Sequence, residues 1–115
     1  MMFGIKFKQK DILIVPFPYT DFSSVKQRPV LVLSKDEYNL NTEDIIVCGI
    51  TSNLKDAKHS ILIDNKDLIE GNIPLTSRVK IDKIITLNKS LVKKKIGSIN
   101  DKTFNKIKEE ILNLF

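Results

Sequence analysis

Apolar residues in this chain fall in short runs, not in long stripes. "DILIVPF" (Asp11 to Phe17) and "PVLVLS" (Pro29 to Ser34) are β-branched runs bounded by proline and polar clusters, and both predict strands. Between them "PYTDFSSVKQR" has turn chemistry, with Pro18, Asp21 and two serines. The polar segment "DEYNLNTED" (Asp36 to Asp44) predicts a loop, and "IIVCGI" (Ile45 to Ile50) predicts a buried strand. "TSNLKDAK" breaks that strand, and "HSILI" (His59 to Ile63) resumes the pattern.

Further on, "DNKDLIEGN" reads as a short turn or helix stopped at Gly71. "SRVKI" alternates, with Val79 and Ile81 on one face and Arg78 and Lys80 on the other. "KIITL" and "KKKIGSI" follow as short strands or connectors. The C-terminal "NDKTFNKIKEEILNLF" predicts a helix, because Phe104, Ile107, Ile111 and Leu114 recur at helical spacing. Asn100 or Asp101 can cap it. Several short strands and one terminal helix predict an α+β fold built on a small, strongly bent sheet or barrel. At 115 residues, with no repeat or linker, the expectation is one domain over 1–115.

Composition narrows the chemistry. An apolar fraction of 42% is ordinary for a folded chain. The net charge of +5 points toward a polyanionic partner, although many basic small proteins bind no nucleic acid. Cys48 is the only cysteine, which excludes an internal disulfide and a multi-thiolate metal site. Its apolar neighbours predict a buried structural thiol. The start "MMFGIKFKQK" lacks an apolar signal core and no run is long enough to cross a bilayer, so the expected location is cytoplasmic, with no membrane partner.

Familiar catalytic signatures are mostly missing. A lone histidine, His59, excludes a histidine pair within one chain and reads as a surface or strand-edge residue. Carboxylates are scattered without two-metal spacing, and the four glycines form no phosphate-cradling loop. No metal or cofactor is expected. What remains are two polar spots at the ends of apolar strands, Lys26-Gln27-Arg28 and Thr51-Ser52-Asn53. Strand ends hold side chains rigidly yet leave them open to solvent. Arg28 also stands out because every other cation except Arg78 is a lysine. The structural alternatives are that Arg28 pairs with Asp21 or Asp82 and that Thr51 starts a turn.

Three ordered blocks give these spots a context: "DILIVPFPYTDFSSVKQRPVLVLS", then "IIVCGITSN", then "SRVKIDKIITLNKSLVKKKIGSI". Together they resemble the MazF/PemK family of toxin endoribonucleases, closest to its PemK-like branch, from about Lys10 to the end. The resemblance implies a small SH3-like β-barrel of the CcdB/MazF type with a C-terminal α-helix, usually a homodimer. It also implies metal-independent, sequence-selective cleavage of single-stranded RNA by the toxin of a type II toxin–antitoxin pair. The family's catalytic arginine falls on Arg28 and its catalytic threonine on Thr51. The chain departs from MazF proper at Ser23, five positions before the arginine, where an acidic residue is common there; PemK-like relatives often carry serine.

The residues suit that reaction. RNA cleaves itself when its 2′-OH attacks the adjacent phosphorus, leaving a 2′,3′-cyclic phosphate and a 5′-OH. A planar guanidinium can donate two hydrogen bonds to the phosphorane oxygens, which a lysine ammonium cannot do in the same geometry. Thr51 can add a hydroxyl donor. As a literal base arginine is poor, because a guanidinium holds its proton very tightly, whereas the family assigns it acid–base work, so the proton-transfer groups stay open. For RNA contacts the candidates are Tyr19, Thr20, Lys26, Gln27, Ser52, Asn53, Arg78 and Lys80. Tyr19 is the better candidate to stack on a base, whereas Phe17 and Phe22 read as packing residues. Lys93, Lys94 and Lys95 read as a solvated edge. The implied partner is a cognate antitoxin whose flexible acidic segment folds over the basic groove. Two other functions fit the same barrel: a non-catalytic nucleic-acid-binding module, and a CcdB-like gyrase poison that depends on C-terminal residues instead of Arg28 and Thr51.

Overall fold

The computed structural model describes residues 6–17 and 26–115, with Phe17 described by its backbone alone. Tyr19, Thr20, Asp21, Phe22 and Ser23 therefore lie outside the described residues. The strands are β1 (Asp11–Phe17), β2 (Lys26–Val32), β3 (Asp44–Thr51), β4 (Ser60–Ile63), β5 (Leu68–Gly71), β6 (Ser77–Asn88) and β7 (Lys94–Ile99). Two α-helices, α1 (Asp36–Asn41) and α2 (Asp101–Leu112), accompany them. All pairings are antiparallel, in the order β4-β6-β3-β2-β1-β7-β5, and the sheet curls into a half-barrel. The expected bent-sheet α+β architecture is borne out.

Alternation along the strands splits the core into two layers. Ile12, Leu31, Cys48, Ile50, Val79, Ile81 and Ile99 face α2, whose Phe104 and Ile107 are buried against them. Leu13, Val15, Val30, Val32, Ile45, Val47 and Leu87 pack on the opposite face. Because both faces of β3 are covered, its sequence is a continuous apolar run without polar alternation.

The largest register shift among the described strands falls in β6. "SRVKI" and "KIITL", expected as separate pieces, form the single strand β6. Its register with β3 shifts between Cys48, which pairs with Ile84, and Gly49, which pairs with Lys80. The residues between bulge out, and a bulge of this kind bends and twists its strand. The half of β6 that precedes the bulge can thus pair β3 on one side and β4 on the other.

The helix α2 starts as its sequence predicts, and Asn100 is the cap: its Oδ1 accepts the Thr103 N–H at 2.8 Å. Asp101 instead ion-pairs with Lys10. Leu114 lies beyond the helix and is exposed, so only the first part of the apolar stripe is core. Two other expectations need correction. "DEYNLN" is a helix, not a loop, since the buried Asn39 side chain donates to the carbonyls of Phe7 and Ser34 and anchors it. "DNKDLIEGN" becomes a 3-10 turn (Asn65–Asp67) followed by β5. At its end Gly71 has φ +70 and lies so close to β7 that a Cβ would meet the Ile96 carbonyl at 2.1 Å.

Candidate active site

Arg28 is the third residue of β2 and pairs with Val15 of β1. The β2–β3 register runs Val32↔Val47, Leu31↔Cys48, Val30↔Gly49. Continued by two residues, it sets Arg28 opposite Thr51, the last residue of β3. Thr51 in turn pairs with Arg78 of β6, and Arg78 with Leu62 of β4. Val15, Arg28, Thr51, Arg78 and Leu62 thus form one row across five strands. By alternation the row lies on the face of Val30, Val32 and Val47, at the margin of that apolar layer. Arg28, Thr51 and Arg78 are each half-buried. The packed sheet fixes where their side chains start.

The Thr51 hydroxyl is oriented by its own turn. Its Oγ1 accepts the Asn53 N–H at 3.1 Å, and Asn53 Oδ1 accepts the Lys55 N–H at 3.2 Å. A hydroxyl has one hydrogen and two acceptor lone pairs, so an Oγ1 that accepts from the backbone keeps its hydrogen to donate. The turn expected as the structural alternative for Thr51 therefore exists, and it leaves the hydroxyl usable. Ser52 and Asn53 are exposed in this turn, and Lys26 and Gln27 are exposed at the start of β2.

The two β6 cations differ in their placement. Arg78 Nε donates to the Leu54 carbonyl at 2.7 Å and its Nη1 to Ser60 Oγ at 3.3 Å. Lys80 does not line an open groove: its side chain is 3% exposed, with Nζ 2.9 Å from Asp56 Oδ1. It also donates to the Lys58 carbonyl. Its position across from Gly49, which has no side chain, puts Lys80 under the 52–59 loop instead of in solvent. Sequence reasoning missed Leu54, Asp56 and Ser60 as partners. Nothing in "TSNLKDAK" signals them until β4 and β6 pair.

The remaining candidates separate from this row. His59, at φ 51, is exposed at the start of β4. Lys95 sits on β7, between β1 and β5, and its Nζ is 3.3 Å from Asp11 and 3.2 Å from Glu70. Lys93, Lys94 and Lys95 are exposed, as expected, but β7 is an interior strand and not an edge. Burial opposes the charge of Lys95, but Glu70 and Asp11 outweigh it and raise its pKa. Burial pushes the Cys48 thiol well above its ordinary value, in keeping with a structural role. Among the described residues, no three His, Cys, Asp or Glu side chains gather as metal ligands, and no helix is long and apolar enough to cross a membrane.

The family model of PemK-like, MazF-like toxins of type II toxin–antitoxin systems matches residues 8–115. This chain belongs to that family. No curated protein matches the PemK-like chain in sequence. Among solved structures, it resembles an endoribonuclease from a mycobacterial species, with a TM-score of 0.75 at 21% identity over 97% of this chain and 93% of that one. A MazE–MazF crystal structure from Deinococcus radiodurans gives 0.76 at 18% identity over 96% of each chain. The Mycobacterium tuberculosis toxin MazF-mt6 gives 0.72 at 21% identity over 90% of this chain and 93% of that one. At these identities the likeness establishes the shared fold.

Proposed function

We propose that this PemK-like toxin is an endoribonuclease that cleaves single-stranded RNA without a metal ion, with Arg28 and Thr51 as its catalytic residues. What supports this reading is the β2–β3 register, which continued by two residues sets Arg28 opposite Thr51, with the Thr51 hydroxyl oriented by Asn53. In the reaction the 2′-oxygen bonds to phosphorus and the bond from phosphorus to the 5′-oxygen breaks. One proton leaves the 2′-OH and one reaches the departing oxygen. Negative charge accumulates on the non-bridging oxygens between these events. The Arg28 guanidinium donates to those oxygens in a planar fork, and Thr51 adds one neutral donor. Both act on the phosphorane whichever group moves the protons. With Ser23 in place of an acidic residue, one possible general base is absent.

Lys26, Gln27, Ser52 and Asn53 are exposed around the pair and serve as RNA contacts, with Arg78 at the far end of the row. Tyr19 and Thr20, which precede β2 in the sequence, join them as base-stacking and polar contacts. A homologous fold was solved as an endoribonuclease in complex with its cognate antitoxin. By the same logic the partner here is an antitoxin whose acidic flexible segment complements a chain of net charge +5. The toxin acts in the cytoplasm, where its RNA is, as a homodimer that joins two half-grooves.

The deciding experiment incubates the purified protein with a long single-stranded RNA in EDTA and maps both ends of every product. Internal cuts that leave 2′,3′-cyclic phosphate and 5′-OH ends are expected. Intact RNA, or cleavage that appears only with added magnesium, sinks the reading.

A further inference from the structure

We infer that Lys80 and Arg78 are positioning residues for cleavage: from beneath, they pin the 52–59 loop and so set the direction of the Thr51 hydroxyl. The inference rests on the proposed role of Thr51. Its starting point is the burial of Lys80, whose ammonium lies under the loop with Asp56 Oδ1 at 2.9 Å and the Lys58 carbonyl as a second acceptor. A buried ammonium must be met by acceptors, and here both come from the same short loop. Arg78, two residues earlier on the same face of β6, fixes a third point through the Leu54 carbonyl at 2.7 Å. The loop is thus held at Leu54, Asp56 and Lys58 by two side chains of one strand.

The held loop contains the group that orients Thr51. Asn53 donates its N–H to Thr51 Oγ1, and the Asn53 carbonyl accepts the Asp56 N–H at 3.1 Å. The pinned Asp56 and the Thr51 hydroxyl are therefore linked through one residue. Release of Asp56 frees Asn53, and the hydroxyl then rotates among its staggered positions instead of pointing one way. A misplacement of about 1 Å in a reacting geometry can cost about a hundredfold in rate. Arg78 serves both ends of this arrangement, because it is also the cross-strand neighbour of Thr51.

Charge distinguishes pinning from direct RNA contact. If Lys80 contacted phosphate, removal of the Asp56 carboxylate would leave RNA binding as tight or tighter and cleavage no slower. Pinning requires the opposite for the rate. The test compares wild type with Asp56→Ala and Lys80→Met, using single-turnover cleavage, RNA affinity, melting temperature and amide hydrogen exchange across 52–59 by NMR. Asp56 is half-exposed, so Asp56→Ala keeps the experiment decisive where Lys80→Met fails to fold. The expected result for Asp56→Ala is a cleavage step slower by about ten- to a hundredfold. RNA affinity should be unchanged or tighter, and exchange at Asn53 and Asp56 faster. Cleavage within about twofold of wild type, unchanged loop exchange, or weakened RNA binding in place of slowed cleavage each overturns the inference. A wild type that leaves RNA intact removes the endoribonuclease reading first, and the positioning role with it.

Discussion

Arg28 and Thr51 stand on neighbouring strands at positions that the β2–β3 register sets opposite one another. The sequence separates them by more than twenty residues, yet the antiparallel pairing of Val30 with Gly49 brings them into one row. Arg28 offers charge in a planar fork, and Thr51 offers a neutral hydrogen from a hydroxyl already fixed by Asn53.

Their chemistry separates under substitution. Arg28→Lys keeps the charge but loses the fork, so single-turnover cleavage should fall by about a hundred- to a thousandfold. RNA affinity should change by no more than one phosphate contact. Thr51→Ala should cost less, because it removes one neutral donor. Arg78→Lys should fall between wild type and Arg28→Lys, since its lost Nε bond is to the Leu54 carbonyl. Arg28→Lys cleaving within about threefold of wild type would remove Arg28 from the catalytic role.

Cys48 should be inert in the folded protein. It is fully buried at the centre of β3, and burial pushes its thiol up, which starves it of the reactive thiolate. A thiol-specific chromogenic reagent at mildly alkaline pH is expected to label it only after denaturant is added. Rapid labelling of the native protein would show that β3 opens far more readily than its packing implies.

The docking of α2 should dominate stability at the C-terminal end. Ile107 has no solvent exposure and packs in the layer of Ile50, Val79 and Ile99. Ile107→Ala should therefore cost about 2–5 kcal/mol in urea unfolding. Asn100→Ala should cost about 1 kcal/mol, because it leaves the Thr103 N–H without its cap. Leu112→Ala, at an exposed position, is the control and should be close to neutral.

Acid should dissolve one tie between the start of β1 and α2. Asp101 is held below the usual carboxylate range by its hydrogen bond to Lys10 and by the charge of Lys10. A native pKa below the unfolded one means that the pair stabilises the fold above the unfolded carboxyl range. That contribution is lost as pH falls through the native value. Wild type should therefore melt slightly above Lys10→Met at neutral pH, and the gap should close in strong acid. An equal gap at both extremes would show that Lys10 acts through something other than Asp101.

How much of this was legible in the sequence depends on the range of the interaction that fixes each feature. The strands β1, β2 and β3 and the helix α2 follow from local patterns: β-branched runs, turn residues between them, and Asn100 ahead of a helical stripe. Arg28 and Thr51 were legible as polar ends of apolar strands, because strand boundaries are themselves local. The helix α1 was not legible, since its polar sequence is anchored by Asn39 to carbonyls of Phe7 and Ser34 outside it. Nor was the fate of Lys80. Alternation along "SRVKI" fixes which face Lys80 takes, but a face is open or covered only once another segment arrives. That segment is the 52–59 loop, whose Asp56 lies 24 residues from Lys80 in the chain. By itself the sequence determined the period of each element and the residue types at its ends. The bulge in β6, the row that joins Arg28 to Thr51, and the burial of Lys80 were decided by tertiary pairing, because each is a distance between residues whose separation no local pattern encodes.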